Sequence, residues 1–359
     1  MALARSSSSS ALLLWLLRLP YFLLTITFFY WSATIGALIY RVRFLSTGPR
    51  NDMYDWTLLM TSFLGLHFHQ LGAQRLHCAP RVVFLANHRS WADFFVDIHL
   101  TQGTAAPMSR ALVAFAFPVF MCTAWLLRGL IIFKRGAIED KKKFNSWLDE
   151  QLDASAGSNL LVYPEGHRST RPTSLPLKRG MLYYAHSRGL PVQIIMTAGK
   201  ESVLSEKHQC ASFGQHLLTS FSPVISSKDK DFEVFATEVQ QRWDSLWREV
   251  FSTSTQGVPL LHQASVPLFD YPPAVRTHMA LASSAFILML LLAAGAAVLA
   301  VRATLALMPP VLQVVVLAAS SLLMLASFLT SAAITSSTTT TTTTTRQPQA
   351  VADKGSKES

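Results

Sequence analysis

The stretch VVFLANHRSWADFF, residues 82–95, decides how the middle of this chain folds. It begins with β-branched and aromatic residues, a composition that predicts a strand. The run ends on Asn87 and His88, and Asp93 follows five positions after the histidine. A strand of an open α/β sheet meets its ligand crevice at its carboxyl end. The stretch therefore predicts an α/β fold with a polar site where this strand gives way to a helix.

Three further runs resemble the first in their apolar, β-branched composition: GLIIFK (129–134), NLLVYP (159–164) and PVQIIM (191–196). Helical patterns lie between and after them, over residues 138–154 and 231–251. Strands that alternate with helices predict a layer of short, mainly parallel strands covered by helices. We assign this α/β domain to residues 41–252.

The composition points to a membrane. Half of the residues are hydrophobic (50%) and only 14% are charged, whereas soluble domains have about 25% charged residues. The net charge of +10 suits an anionic membrane surface or a phosphorylated substrate. Nucleic acid is not expected as a partner because no recognisable binding module is present. The three cysteines are far apart in the sequence, so neither a disulfide framework nor a metal site is predicted.

The amino-terminal part reads as a membrane anchor. Residues 1–10 end in five serines and are expected to be disordered, and residues 11–40 contain a single charge, Arg18. A run of this length is long enough to cross a bilayer. The arginines that follow it place the next segment in the cytosol, by the bias of positive charge towards that side. These residues are Arg41, Arg43 and Arg50.

The carboxyl-terminal part predicts a transmembrane hairpin and a tail. Residues 279–301 and 303–334 are uncharged and are separated by Arg302. Two spans return the chain to the side of the α/β domain. The Thr-rich residues 335–359 are low-complexity and predict a disordered tail. Two other apolar stretches are shorter: residues 57–69 predict a buried or interfacial helix, and residues 110–127 either dip into the membrane or form a core helix.

His88 and Asp93 suit general-base chemistry. A carboxylate about one helical turn along accepts the second N–H of the imidazole, fixes its tautomer and stabilises its charged form. The substrate then supplies its own hydroxyl as nucleophile. The alternative is structural, because Ser90 and Asp93 also fit a capping box, Ser-x-x-Asp, in which the carboxylate only caps a helix.

Two basic motifs suit a phosphate. In YPEGHRSTR (163–171), Gly166 lets backbone N–H groups approach a phosphate, and Arg168 can bind one with two donors. In RGLIIFKRG (128–136), a predicted strand ends at Arg135. The alternatives are a solvated basic loop for the first motif and an ordinary strand with a positive end for the second.

Together these motifs resemble those of the glycerolipid acyltransferase family, in particular the 1-acylglycerol-3-phosphate acyltransferases. NHRSWAD (87–93) is similar to the Asn-His-x-x-x-x-Asp block of that family, and YPEGHRS (163–169) to its Phe-Pro-Glu-Gly-Thr-Arg-Ser block. GLIIFKR (129–135) and LPVQIIM (190–196) resemble its two weaker blocks. The resemblance covers about residues 57–250. It departs from the family pattern at His167, where threonine is usual, and by a missing second proline in the last block, which leaves the acyl acceptor open.

The resemblance implies roles for the site residues. His88, held by Asp93, would deprotonate a glycerol hydroxyl that attacks an acyl-CoA thioester. The residues that would position the glycerol phosphate are Arg135, Glu165, Gly166 and Arg168. Arg110 stands where the family often has a lysine pair, and Lys178 belongs to the basic cluster behind the third motif. Acyl-CoA is expected as co-substrate, with no cofactor and no metal.

The sequence thus predicts an integral membrane acyltransferase that acylates lysophosphatidic acid (LPA) to phosphatidic acid, a step of phospholipid biosynthesis. The family resemblance implies the endoplasmic reticulum, with the catalytic domain facing the cytosol. Another lysophospholipid or glycerol-3-phosphate remains open as acceptor. A non-catalytic lipid-binding or transport protein is the alternative of another class. A transporter usually keeps polar sites within its spans, and the predicted anchors are almost free of ionisable residues.

Overall fold

A computed structural model of the chain describes residues 2–42, 49–133, 140–155, 157–263, 265–270 and 273–343. Its helices are α1 (Ala2–Val42), α2 (Asp52–Phe63), α3 (Asp93–Leu100), α4 (Val113–Ala116), α5 (Pro118–Leu126), α6 (Lys141–Ala154), α7 (Arg179–Ser187), α8 (Lys200–Val203), α9 (Phe232–Ser252), α10 (Pro273–Ala306) and α11 (Pro310–Thr343). Its strands are β1 (His67–Leu71), β2 (Val83–Ala86), β3 (Ala105–Arg110), β4 (Ile131–Phe133), β5 (Asn159–Val162), β6 (Val192–Ala198), β7 (Leu204–Ser205), β8 (Cys210–Ala211) and β9 (His216–Phe221).

Among the described residues, one seven-stranded sheet organises the middle of the chain, in the order β1-β9-β6-β2-β5-β3-β4. The strands from β6 to β4 run parallel to one another, whereas β9 is antiparallel to β6 and parallel to β1. The four runs predicted from the sequence correspond to β2, β4, β5 and β6, so the mainly parallel α/β layer is confirmed. Because the strands are parallel, the carboxyl ends of β2 and β5 meet at one edge.

Three strands of this sheet were not predicted. β3, AAPMSR, contains Pro107 and has no β-branched residue, yet it pairs with both β5 and β4. The predicted helix over residues 57–69 is wrong at its end, because α2 ends at Phe63 and β1 begins at His67. Between them Gly65 adopts a φ of 61°, a left-handed conformation that commonly ends helices. β9 pairs with β1 and β6, which are not its neighbours along the chain, so no local sequence pattern predicts this pairing.

β2 is buried on both faces, as is usual for a central parallel strand. Phe84 and Ala86 pack into one apolar cluster with side chains of α1, α2, α3 and α5. Val83 and Leu85 pack into a second cluster with α6, α7 and α9. Burial of a large apolar side chain contributes about 1.5–3 kcal/mol. The two clusters therefore fix the position of β2 and of the residues that follow it.

The amino-terminal helix α1 contributes to the first of these apolar clusters, the one that contains Phe84 and Ala86. Residues Leu12–Ala33 of α1 are apolar enough and long enough to cross a membrane. The same segment contacts the α/β domain, since the Trp15 indole donates to Gln209 (2.7 Å). Phe29 is buried, and its ring packs against Phe120 of α5 at 5.1 Å between centroids. The membrane segment and the domain therefore share a core.

The bounds of the terminal helices differ from the sequence expectations. α1 includes residues 2–10, which were expected to be disordered. Arg302 lies within α10, and the break comes at residues 307–309, before Pro310. The helix continues through Arg302 because arginine is a good helix former. It ends before Pro309 and Pro310 because proline removes a backbone donor. The Thr-rich tail is described only as far as Thr343, within α11, and residues 344–359 lie outside the described part.

Two further candidate membrane spans are Ile287–Ala306 of α10 and Pro310–Leu329 of α11. The second packs against α1, because the Tyr21 N–H donates to the Ser327 hydroxyl (2.9 Å). By length and composition, three described helices can thus cross a bilayer, and α1 is in contact with both α10 and α11. The membrane association of the chain rests on these helices.

Residues 110–127 form two short helices, one of which is a core helix. In α5 the side chains of Phe120 and Met121 are buried against α1 and α2. In α4 and the turn before it, Leu112 and Phe115 are 72% and 85% exposed. The core-helix possibility therefore holds for α5, while α4 presents an apolar surface.

Candidate active site

His88 and Asp93 form a hydrogen-bonded pair at the carboxyl end of β2. The His88 Nδ1 lies 2.5 Å from the Asp93 Oδ2, and the ring N–H donates in this contact. Asp93 is the first residue of α3 and is fully buried, whereas the His88 side chain is 21% exposed. The pairing leaves the Nε2 atom of His88 as the ring nitrogen available to a substrate.

The same carboxylate oxygen also accepts two backbone N–H groups. The Asp93 Oδ2 lies 2.7 Å from the Arg89 nitrogen and 3.1 Å from the Ser90 nitrogen. Capping of this turn and orientation of the imidazole are therefore not alternatives, because one oxygen serves both. An ionised carboxylate suits all three donors, since charge-assisted hydrogen bonds are the stronger ones.

The third motif is bonded to the first. The Glu165 Oε1 accepts the His88 backbone N–H (2.9 Å), and the His88 carbonyl accepts the Ser169 N–H (2.9 Å). The Tyr163 ring stacks on the imidazole, with the centroids 4.3 Å apart and 18° between the planes. The histidine ring is thus held on one face by an aromatic ring and at Nδ1 by a carboxylate.

Glu165 lies behind the site. Its residue exposure is 1%, and its Oε2 atom is buried with no hydrogen-bond partner among the described residues. Burial raises the pKa of Glu165 to about 7, although the His88 N–H and nearby cations act in the opposite direction. The structure therefore has Glu165 supporting the backbone of the histidine instead of facing the cavity.

Lys200 is a further member of the site that sequence reasoning missed. Its ammonium is fully buried, donates to the Asn87 carbonyl (2.5 Å) and lies 3.5 Å from the Asp93 Oδ1. Burial alone would raise the pKa of Asp93, but the Lys200 ammonium and the hydrogen bonds from His88 and Arg89 outweigh it and lower this pKa. The only local signal in the sequence was a lysine directly after an apolar strand.

Arg89, a variable position of the first motif, was also missed. Its guanidinium is buried and donates to the carbonyls of Ser169 (2.8 Å) and Arg171 (2.9 Å). It also pairs with Glu201 at 2.5 Å and lies 4.9 Å from the ring centroid of Phe251 on α9. Arg89 thus joins the first motif, the third motif and α9, a role that depends on contacts between distant segments.

A cavity of about 840 Å³ opens at His88. Its wall contains apolar side chains of several helices and strands, such as Trp91, Phe94, Phe117 and Phe133. The described residues that line it include no carboxylate and five cationic side chains: Arg110, Lys141, Arg168, Lys178 and Arg179. An apolar cavity with a few convergent polar groups is the usual form of a small-molecule site.

Most of the predicted binding residues lie at this cavity. Gly166 adopts a φ of 76°, a left-handed conformation suited to glycine, and its carbonyl accepts from the Arg110 guanidinium (2.8 Å). The Lys178 backbone N–H donates to the Pro164 carbonyl (2.7 Å), which fixes that lysine beside the turn. Arg168 is half-exposed and pairs with Glu206 through its Nε (2.8 Å).

Arg135 lies outside the described residues, so its predicted role stays a prediction. Lys141, at the start of α6, lines the cavity with its ammonium 5.4 Å from the ring centroid of Tyr183. Sequence reasoning missed it, although the Lys141–Lys143 run was a visible signal. Within the described part of the chain, no group of three or more histidine, cysteine, aspartate or glutamate side chains is arranged to hold a metal ion.

Comparisons with known proteins find similarity to acyltransferases. The family model described as acyltransferase matches residues 67–196. The 1-acyl-sn-glycerol-3-phosphate acyltransferase alpha of Bos taurus is 23% identical over 54% of this chain and 67% of its own length. The Homo sapiens protein of the same name is also 23% identical, over 54% of this chain and 68% of its own.

A solved structure shares the fold. The crystal structure of the 1-acyl-sn-glycerophosphate (LPA) acyltransferase PlsC from Thermotoga maritima superposes with a TM-score of 0.52 at 17% sequence identity. The superposition covers 69% of this chain and 98% of that one. The mainly parallel sheet and its helices are therefore an architecture already known from an acyltransferase.

Proposed function

Because residues 67–196 match the acyltransferase family model and the chain is similar to 1-acyl-sn-glycerol-3-phosphate acyltransferases, we propose that it is an acyltransferase that acylates LPA. The acyl chain would come from acyl-CoA, and the product would be phosphatidic acid. The observation that carries the proposal is the His88–Asp93 pair, in which the buried carboxylate holds Nδ1 and the other ring nitrogen is left for an apolar cavity with a cationic lining. A hydroxyl-bearing lipid phosphate matches each of these three features.

The reaction needs only groups that are present on the chain and its two substrates. The His88 Nε2 takes the proton from the free hydroxyl of LPA as the oxygen attacks the thioester carbonyl. A C–O bond forms, the C–S bond breaks, and CoA leaves as a thiolate that recovers the proton from His88. Asp93 stabilises the imidazolium between these steps, because its carboxylate is ionised and fixed by three donors.

The cationic lining supports a phosphorylated acceptor. Lys178 and Arg168 line the same cavity as Gly166 and His88. Arginine can meet a phosphate with two parallel hydrogen bonds, whereas lysine offers a point charge. The distance between the Gly166 turn and the imidazole is short, because Glu165 of the turn bonds the His88 backbone at 2.9 Å. A phosphate held there leaves the glycerol hydroxyl near the base.

The apolar surface of α4 supports a lipid substrate. Val113 and Ala116 line the cavity, while Leu112 and Phe115 of the same turn are exposed. α5 follows directly and packs on the candidate membrane span of α1. We infer that this rim meets the bilayer surface and that LPA enters from there. The proposal includes a cytosolic catalytic domain at the endoplasmic reticulum, supported by the arginines that follow the apolar residues 11–40 and by the family resemblance.

The test is a product analysis with the full-length protein in detergent micelles. Oleoyl-CoA is combined in turn with LPA, lysophosphatidylcholine, lysophosphatidylethanolamine and glycerol-3-phosphate, and the lipid products are identified by mass. We expect phosphatidic acid from LPA and release of free CoA in equal amount. Acylation of another acceptor in place of LPA would overturn the proposed substrate. Lipid binding without any product would favour a non-catalytic protein.

A further inference from the structure

Lys200 occupies an unusual position beneath the candidate active site. It is fully buried, and its ammonium contacts both carboxylate oxygens of Asp97 at 3.0 and 2.9 Å. The same ammonium donates to the Asn87 carbonyl at 2.5 Å and lies 3.5 Å from the Asp93 Oδ1. Burial of a charge is costly unless it is paired, and here two buried carboxylates, Asp97 and Asp93, lie within 3.5 Å of the ammonium.

The chain around Lys200 is fastened to the first motif at three points. The Ser90 hydroxyl donates to the Lys200 carbonyl (2.9 Å). The Asn87 side chain donates to the Thr197 carbonyl (2.8 Å) and accepts the Thr197 N–H (3.0 Å). The end of β6 and the end of β2 therefore move together, and the ammonium is held at a fixed distance from the carboxylate of Asp93.

We propose that Lys200 is a positioning residue that keeps Asp93 ionised and aimed at His88. The inference rests on the proposed function and assigns a further member to the same site. The Asp93 Oδ2 is used by three N–H donors, and its other oxygen has no hydrogen-bond partner among the described residues. The Lys200 ammonium is the cation nearest to that oxygen among the ion pairs of the described residues.

The electrostatic balance of this region supports the role. The other charged or titratable side chains around Lys200 and Asp93 are His88, Arg89, Asp97, Tyr163, Glu165 and Glu201. Arg89 is engaged by Glu201, so Lys200 is the cation shared by Asp93 and Asp97. The pKa of Asp97 is raised to about 7, chiefly by burial and by the charge of Asp93, with Lys200 acting in the opposite direction. Asp97 thus competes with Asp93 for one ammonium.

Removal of the ammonium would leave burial as the dominant influence on Asp93. Burial favours the neutral acid, so Asp93 would take up a proton at higher pH than it does beside Lys200. A neutral Asp93 no longer stabilises the imidazolium. The acid limb of kcat/KM, which reports groups that must be deprotonated in the free enzyme, would then move to higher pH.

The experiment compares two variants that differ only at Lys200. Asp97→Asn keeps the ammonium beside Asp93, and Asp97→Asn with Lys200→Met removes one buried anion and one buried cation together. With oleoyl-CoA and LPA, we expect the acid limb of the double variant to lie at higher pH than that of Asp97→Asn. A displacement of one pH unit corresponds to about a tenfold lower kcat/KM on the acid side. Superimposable profiles would reduce Lys200 to a structural role and overturn the proposal.

The single variant provides an independent test. Asp97→Asn removes the competitor for the ammonium, so its acid limb should stay in place or move to lower pH relative to the unsubstituted protein. A shift of this variant to higher pH would contradict the proposal even if the double variant did not fold. Folding of each variant is checked by its thermal transition in detergent.

A measurement without substrate separates this inference from the proposed function. Diethyl pyrocarbonate acylates neutral imidazole, and mass spectrometry of the His88 peptide follows its reaction against pH. An ionised Asp93 stabilises the imidazolium, which does not react with the reagent, so His88 of the double variant should be modified faster at acidic pH than His88 of Asp97→Asn. Equal reaction profiles would contradict the role of Lys200. Absence of any acylated lipid with the unsubstituted protein would overturn the proposed function and leave the reaction profile to decide on Lys200.

Discussion

Two regions of the candidate site are built on opposite principles. The region around Asp93 is buried, and its carboxylate is surrounded by donors within the protein. The region around Arg168 is half-exposed, and its cations pair with single carboxylates or carbonyls at the cavity rim. A buried charge without its partner is costly, whereas a rim pair can be exchanged for a ligand at little cost. The region around Asp93 is therefore fixed before a substrate binds, whereas the side chains around Arg168 can rearrange when a substrate binds.

The largest effect is expected from His88→Ala. The variant removes the proposed general base from the fixed region, and general-base catalysis contributes about 10²–10⁴-fold in rate. The measurement is turnover of oleoyl-CoA and LPA, with His262→Ala as a control because that histidine is exposed beyond the domain. Turnover of His88→Ala within a few-fold of the control would remove His88 from the reaction.

Asp93→Asn should be the next most harmful change, with a loss of about 10²-fold, the lower end of the same range. An amide oxygen can still cap Arg89 and Ser90, but the amide nitrogen then meets the Lys200 ammonium on the other side. The imidazolium also loses its countercharge. A thermal transition close to that of the unsubstituted protein would show that the fold survives. Near-normal turnover would mean that Asp93 acts only as a cap.

Arg168 tests the rim. Replacement by lysine should raise the KM for LPA, and replacement by alanine should raise it further, by about 10- to 150-fold, the cost of 1.5–3 kcal/mol for a charged hydrogen bond. The KM for acyl-CoA should hardly change. Glu206→Gln is the matched control, because it removes the protein partner of Arg168 and should not weaken LPA binding. An effect on acyl-CoA instead would move the acceptor phosphate to Arg110 and Arg135.

Phe115 tests access from the bilayer. Phe115→Ser places a polar group on the exposed surface of α4, next to Ala116, which lines the cavity. Partial loss of the 1.5–3 kcal/mol for burying phenylalanine predicts about a 3- to 10-fold lower rate with LPA in vesicles. The rate with LPA in detergent micelles should be nearly unchanged. Val234→Ser is the control, because Val234 is also exposed but lies on α9 away from this cavity. An equal loss in both variants would rule out a specific role for α4.

Glu165 should affect stability more than turnover. Its folded pKa of about 7 lies above the ordinary value of 4.5, so the folded state binds this proton more tightly than the unfolded state does. Its contribution is therefore favourable below pH 4.5 and is lost as the pH rises through 7. Glu165→Gln keeps an acceptor for the His88 N–H and removes this dependence.

The measurement is the thermal transition between pH 5 and pH 8. The unsubstituted protein should lose up to about 3 kcal/mol more than Glu165→Gln over this interval, with the exposed Glu249→Gln as control. Parallel pH dependences would mean that Glu165 is not protonated in the folded state. A large rise in the KM for LPA in Glu165→Gln would instead support the role predicted from the sequence, in which Glu165 helps to position the glycerol phosphate.

Local patterns determined a large part of this fold. Runs of β-branched residues predicted β2, β4, β5 and β6, because a buried parallel strand must be apolar on both faces. Long uncharged stretches predicted the apolar helices, because a bilayer accepts few charges. The pairing of His88 with Asp93 was also predictable, because only five positions separate the two residues.

Only the tertiary structure decided which distant groups complete the site. Lys200 is 113 positions from Asn87, and Glu165 is 77 from His88, yet each forms a hydrogen bond there. Nothing in the sequence near a buried lysine or glutamate shows that it will be buried, because long-range strand pairing sets its depth. β1 and β9 joined the sheet by the same kind of pairing. The sequence by itself predicted the His88–Asp93 pair, because the two residues are close along the chain, and the fold decided which charges surround that pair.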